Sequence, residues 1–311
     1  MKDLQEFSEK VIQNVEKIII GKREEIKIVL AALLCEGHIL IEDVPGVGKT
    51  QLAKAVARSI GCSFARIQCT PDLLPSDITG LNVYNQKTGD FEFKSGPICN
   101  QIILADEINR ATPKTQSALL EAMEEKQITV DGSTRKLKKP FMVIATQNPV
   151  EYEGTFSLPE AQLDRFIFKL SIGYPTEETE KEILARHRSH NPMDDIQVVV
   201  NSEEVINMQK VIADVHVDIT LMDYIVKLVA KTRESNKLYL GSSPRGSLAI
   251  FSGSRAVAAL SGRNYVIPDD IKFLVPFALS HRIIFKSDVR QNSSLISSFF
   301  EEIFQAVPVP V

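Results

Sequence analysis

The 311-residue sequence predicts an α/β fold in which a buried parallel sheet lies between helices and is followed by a wholly helical region. Three observations carry that prediction. Five short, nearly continuous apolar runs alternate with helix-like segments, as expected of strands buried on both faces of a parallel sheet. The first run leads through a glycine-bearing turn into a helix, the strand-loop-helix order of a phosphate-binding loop. After Tyr174 and Pro175 only helical patterns follow.

In order, the runs are HILIEDV (38–44), FARIQ (64–68), QIILADE (101–107), FMVIATQN (141–148) and FIFKLSI (166–172). Between the second and third, LNVYN and DFEFK flank Lys87-Thr88-Gly89 and predict a β-hairpin. Ahead of the fourth, QITVDGSTRKLKKP predicts a second hairpin around Asp131-Gly132, made basic by Arg135, Lys136, Lys138 and Lys139. Those charges fit a solvated tip as well as a binding loop. Thr176 is placed to cap the helix EETEKEILARH. Further helices are expected over 203–215, 219–233, 244–260 and 268–284, and the prolines of QAVPVPV predict an extended end. The division into two domains is placed at residue 174, giving 1–174 and 175–311.

With 44% hydrophobic and 24% charged residues, the chain can bury a sizeable core. Its net charge of -4 supplies no bulk cationic field, which argues against sequence-independent binding to nucleic acid or an anionic membrane. The start MKDLQEFSEK lacks a secretory pattern, and no apolar run approaches the roughly 18 residues of a membrane span, so a cytoplasmic location without membrane insertion is expected. Cys35, Cys62, Cys69 and Cys99 contain no C-x-x-C pair and read as buried, reduced thiols.

Residues 43–50, DVPGVGKT, match G-x-x-x-x-G-K-[ST] except at the first position, where Asp43 replaces Gly. Gly46, Val47 and Gly48 can turn backbone N–H groups toward phosphate oxygens, and the helix opening at Lys49, Thr50 and Gln51 adds its dipole. Lys49 would neutralise the β and γ phosphates of ATP, and the Thr50 hydroxyl would ligate Mg²⁺. About 55 residues on, IILADE ends in two carboxylates. Asp106, at the end of its strand, can complete the magnesium coordination opposite Thr50, while Glu107, directed differently, can orient and deprotonate the attacking water. Taken alone, the loop could be a glycine-rich turn and the acidic pair solvated surface; their co-occurrence favours an ATPase site.

The stretches EDVPGVGKT, TPDLLPSDITG, LADEINRATPKTQSALLEAMEE, IATQNPVEYEGTFSLPEAQLDRF and SPRGS resemble the MoxR family of AAA+ ATPases across nearly the whole chain. In such sequences Asp at position 43 is usual. The resemblance implies a P-loop core with a five-stranded parallel sheet, a small all-helical lid, and a hexameric ring with ATP between subunits. It implies that Asn148 is the sensor 1 residue that helps Glu107 position water, against the alternative of an Asn closing a turn before Pro149. Arg165 resembles an arginine finger reaching a neighbour's γ-phosphate, against an ion pair with Glu160 or Asp164. Arg245 resembles sensor 2, at a helix start that Ser243 and Pro244 predict, against a contact with acidic surface. Ile20 and Gly21 resemble the segment that packs on adenine, and Gln68 resembles a residue that restrains the catalytic glutamate. The hairpins are implied to face the ring pore, where they could grip a client.

The function so implied is a Mg-ATP-hydrolysing ring that remodels or matures protein clients, working with a von Willebrand factor A domain partner. Two other readings are a hairpin-bearing nucleic-acid motor, which the overall acidity disfavours, and a nucleotide-gated scaffold without turnover. Glu107, Asn148, Arg165 and Arg245 together argue against the second.

Overall fold

A computed structural model describes residues 2–149, 155–186, 188, 191–286 and 293–310. Helices α1 (Lys2–Glu16) and α2 (Arg23–Leu34) precede β1 (Ile39–Glu42), which feeds α3 (Lys49–Ser59). Then come β2 (Phe64–Gln68), the short α4 (Pro75–Thr79), the hairpin β3 (Gly80–Asn85) and β4 (Asp90–Ser95), and β5 (Ile102–Asp106). Helix α5 (Pro113–Glu125) leads to a second hairpin, β6 (Gln127–Val130) and β7 (Ser133–Lys136), followed by β8 (Met142–Gln147), α6 (Glu160–Leu163) and β9 (Phe168–Leu170). Both hairpins form at the predicted turns. At the second, Asp131 and Gly132 adopt φ of 49° and 77°, the paired left-handed conformation that Asp-Gly tolerates well.

The five apolar runs form one sheet in the order β2-β5-β8-β1-β9, and every neighbouring pair is parallel. Alternation of side chains divides the core into two. Ile39, Ile41, Leu104, Ile144 and Phe168 face one buried cluster with α1 to α3, whereas Leu40, Ile103, Val143 and Phe166 face another against α5. All five strands run the same way, so β1, β2, β5 and β8 deliver their carboxyl ends to one edge. There Gln68 lies beside Asp106, and Glu42 beside Gln147.

The remaining chain forms α7 (Glu177–Arg186), α8 (Ser202–Ile212), α9 (Ile219–Glu234), β10 (Leu238–Leu240), α10 (Pro244–Leu260), α11 (Pro268–Leu279), β11 (Ile284–Phe285) and α12 (Ser293–Ala306). Thr176 caps α7 as predicted, its hydroxyl accepting the Thr179 N–H at 3.2 Å. The helix expected over 268–284 stops at Leu279. Beyond it the chain turns, the Arg282 side chain folds back to donate to the Ala278 carbonyl, and β11 pairs antiparallel with β10. The apolar residues 283–285 satisfy a ribbon as well as a helix, and only the distant partner at 238–240 decides between them. The first buried cluster continues from α1 and α2 into α8 to α12. All four cysteines are free, with Cys69 buried and the others half-buried. Burial pushes the Cys35, Cys62 and Cys69 thiols up to about 12.

Candidate functional site

The loop between β1 and α3 turns at Gly46 and Gly48, whose φ values of 89° and 93° lie in the left-handed region that side chains disfavour. A Cβ at Gly48 would meet Ile19 Cδ1 at an ordinary contact distance of 3.4 Å, so it is the backbone conformation that calls for glycine there. Lys49 is buried and donates from Nζ to the Asp43 carbonyl at 2.6 Å, which holds its ammonium across the mouth of the loop. Asp43 is itself 7% exposed. One carboxylate oxygen accepts N–H bonds from Ile172 at 2.6 Å and Gly173 at 2.7 Å and a hydroxyl bond from Ser171 at 3.0 Å; the other accepts from Val44 N at 3.0 Å. Where the general pattern has glycine, this chain thus stitches the end of β1 to the segment leaving β9.

Lys49, Thr50, Asp106, Glu107 and Asn148 line one cleft of about 350 Å³ together with Gly46, Gly48 and Gln51. The buried Thr146 hydroxyl fixes both carboxylate residues, donating to Asp106 Oδ1 at 2.6 Å and accepting the Glu107 N–H at 2.8 Å. Glu107 takes φ 56° and ψ 52°, so its side chain leaves the strand in a different direction from that of Asp106. Holding a glutamate there costs roughly 1–3 kcal/mol and marks a position that the surroundings enforce. The hydroxyl of Thr50 and the carboxylate of Asp106 are hard oxygen donors in the same cleft, a set that suits Mg²⁺ completed by phosphate oxygens and water.

Sequence reasoning missed Arg66 and Arg110. Arg66 donates to Asp106 Oδ2 through Nη2 at 2.6 Å and Nε at 3.1 Å, and to Gln68 Oε1 at 2.6 Å. Gln68 in turn donates to Glu107 Oε2 at 3.0 Å, and Arg110 reaches the same oxygen at 3.1 Å. A continuous chain of side chains on β2 therefore joins the two carboxylates. Gln68 stands where the resemblance expected it, in contact with Glu107.

Beside this cleft lies an apolar pocket of about 240 Å³ lined by Ile19, Ile20, Val47, Ile172 and Met193, among others. Gly46, Gly48 and Gln51 line both spaces, so the pocket continues from the phosphate loop. Gly21 does not line it; with φ 71° it turns the chain just beyond Ile20 and faces Thr179 of α7.

Arg165 and Arg245 do not line the cleft that holds Lys49 and Glu107. They meet at Glu124 on α5, Arg165 Nη2 at 3.0 Å from one carboxylate oxygen and Arg245 Nη2 at 2.9 Å from the other. Ser243 caps α10 through the Arg245 N–H, as its place before Pro244 predicts. The ion-pair partner of Arg165 is Glu124, in place of the Glu160 or Asp164 weighed from sequence; Asp164 instead engages Arg282 and Ser243. Part of the motif between Asn148 and Arg165, residues 150–154, lies outside the described residues.

The two hairpins are fastened together. Asn82 donates to Asp131 at 2.8 Å, and the Arg135 guanidinium lies 4.1 Å from the ring centroid of Phe93. Lys139 pairs with Glu36, which leaves Lys136 and Lys138 as solvated charges. Tyr84 and Phe91 pack edge to face at 5.4 Å, with Phe91 71% exposed.

Residues 38–168 match the family described as "ATPase family associated with various cellular activities (AAA)", and residues 230–302 match the "AAA lid domain". "Chaperone MoxR1" of Mycobacterium tuberculosis is 40% identical over 311 residues, spanning 97% of this chain and 82% of that protein. "Uncharacterized protein YeaC" of Bacillus subtilis is 50% identical over 309 residues, spanning 99% and 97%. A protein of Cytophaga hutchinsonii crystallised as a candidate ATPase superposes with a TM-score of 0.91 at 38% identity, covering 99% of this chain and 96% of that one.

Proposed function

The chain belongs to the MoxR family of AAA+ ATPases, and from that premise we propose that it hydrolyses Mg-ATP at the junctions between ring subunits and so remodels or matures protein clients. One observation carries the proposal: the groups suited to hold and attack the nucleotide share one cleft, while the two arginines suited to stabilise the transition state share another face at Glu124. A complete site then needs the cleft of one copy and the arginine face of the next. A hexameric ring is the assembly proposed.

Within the cleft, backbone N–H groups of Gly46 to Gly48 and the start of α3 hold the phosphates, and Lys49 neutralises their charge. Ile20 and Val47 pack on the base. Thr50 and Asp106 would hold Mg²⁺, which when bound would supply charge neutralisation at the phosphate oxygens. Glu107 takes a proton from water that Asn148 helps to orient. Gln68 and Arg110 both donate to Glu107 Oε2, so they compete with water for that oxygen and direct proton uptake to Oε1. Arg165 and Arg245 then neutralise charge from the neighbouring subunit.

The core at 1–174 and lid at 175–311 are the two moving parts of this reading, and the cytoplasm is its proposed setting. No helix among the described residues is long and apolar enough to cross a membrane. A von Willebrand factor A domain protein is the proposed partner class. Two of the four basic residues on the second hairpin are engaged, by Phe93 and by Glu36, which lessens the support for a nucleic-acid motor.

The test is steady-state phosphate release per subunit over a wide range of protein concentration. Turnover is expected to rise with concentration, to fall about 10³-fold or more in Arg165→Ala, and to fall comparably in Glu107→Gln while fluorescent-nucleotide binding persists. A rate independent of concentration and indifferent to Arg165→Ala would remove the shared site.

A further inference from the structure

Apart from the nucleotide cleft and the apolar pocket, the molecule holds a buried polar cluster around Arg282. Arg282, just past α11, is an arginine whose side chain is only 3% exposed. Its Nε donates to Asp164 Oδ1 at 2.7 Å, its Nη2 to the carbonyls of Asp164 at 3.0 Å and Phe166 at 2.7 Å, and its Nη1 to the carbonyl of Ile167 at 3.1 Å. A buried guanidinium is tolerated only when its donors are this fully used, so the group is bound into one geometry.

The other Asp164 oxygen accepts the Ser243 hydroxyl at 3.0 Å, and Ser243 Oγ accepts the Arg245 backbone N–H at 3.1 Å. Asp164 immediately precedes Arg165, and Ser243 stands two residues before Arg245. A single hydrogen-bonded path thus runs from Arg282 through Asp164 and Ser243 to the backbone of Arg245. It begins in the helical region, crosses to the turn that bears Arg165, and returns to the helix that bears Arg245. Both arginine side chains then converge on Glu124.

We propose that Asp164, Ser243 and Arg282 are a clamp that sets the separation and aim of Arg165 and Arg245, so that the pair reaches a neighbour's nucleotide as one rigid unit. The inference rests on the reading that Arg165 acts on a neighbouring subunit. These three are positioning residues, since none of them lines the phosphate cleft. The chemistry of the clamp is specific: a lysine or methionine at 282 cannot serve an acid and, counting that of Ala278, four carbonyls at once.

The experiment uses the full chain and measures kcat, KM and fluorescent-ATP affinity for Arg282→Met, alone and mixed with Lys49→Ala subunits. Arg282→Met subunits keep an intact phosphate loop but misplace the arginines, whereas Lys49→Ala subunits do the reverse. The expected result is a kcat lowered about tenfold or more, with nucleotide affinity within about twofold of the parent, and turnover regained on mixing. A general loss of structure would lower affinity as well and would not be repaired in trans. If Arg282→Met does not fold, as judged by circular dichroism, Asp164→Asn is read instead, with kcat expected to drop at least about threefold and the same repair on mixing. Normal kcat in the folded variant, with Arg165→Ala inactive, overturns the clamp and leaves the shared site standing. Normal kcat in Arg165→Ala overturns the shared site, and the clamp with it.

Discussion

At the scale of single residues, His38 shows how a buried group sets a pH limit without entering the chemistry. The Val143 N–H donates to its Nδ1 at 3.0 Å and its Nε2 reaches the Met123 carbonyl at 3.0 Å, so the neutral ring with its proton on Nε2 satisfies both. A second proton on Nδ1 would face a donor with no acceptor. Burial accordingly drives the His38 pKa from 6.5 down to about 4. Burial, with the neighbouring Arg282 charge adding to it, drives His281 well below its ordinary value in the same direction. For a base whose folded pKa lies below its unfolded one, the unfolded chain takes up more protons between the two values. Stability is therefore complete above about pH 6.5 and declines toward pH 4, by up to roughly 3 kcal/mol for His38 alone. Urea midpoints are expected to fall over that window and to fall less in His38→Gln; equal slopes would mean that other groups govern acid unfolding. Arg66 belongs to this scale too. Nothing in its run, FARIQ, marks it as the partner of Asp106, because the pairing exists only once β2 lies beside β5.

Elements were legible in proportion to how local their causes are. The β2 run over 64–68 has the predicted bounds, anchored by Phe64 and Ile67 and paired along its length with β5, and both hairpins form where a turn residue forces them. The β10–β11 ribbon was not legible, since residues 238–240 and 284–285 acquire a strand identity only from each other. The candidate cleft follows the same division. Lys49, Thr50, Asp106, Glu107 and Asn148 come together as their motif positions suggest, whereas the site's framing by Thr146, Arg66 and Arg110 depends on strand order. Asp43 is the instructive case at this scale, because it joins two elements. Replacing it with Gly would complete the general phosphate-loop pattern and yet strip the partners from the Ile172 and Gly173 N–H groups. Asp43→Gly is expected to lose about 2–3 kcal/mol of stability in urea unfolding, as for charged hydrogen bonds removed from a buried site. An unchanged midpoint would show that the β1–β9 stitch contributes nothing.

For the whole molecule, the arrangement of charge bears on how the proposed ring would differ from a single chain. Arg165 and Arg245 are both turned toward Glu124, and a side chain that accepts both guanidinium groups competes with any phosphate that approaches them. The carboxylate is substantially exposed, so water and salt weaken this hold, and a more highly charged phosphate can displace it. On the proposed shared site, Glu124 would act as a surrogate for the neighbour's nucleotide, keeping the arginine face ordered while it is unengaged. Two consequences separate this role from a purely structural ion pair. Glu124→Gln should lower the KM for ATP in the assembled protein by about two- to fivefold, because the competing charge is gone. It should also shift the concentration dependence of turnover toward lower protein concentration, since an unneutralised arginine face meets a nucleotide-filled cleft more favourably. Both are read in the same phosphate-release titration. A lowered kcat with unchanged KM would instead mean that Glu124 holds the arginines in their working positions, placing it with the clamp and not against the nucleotide.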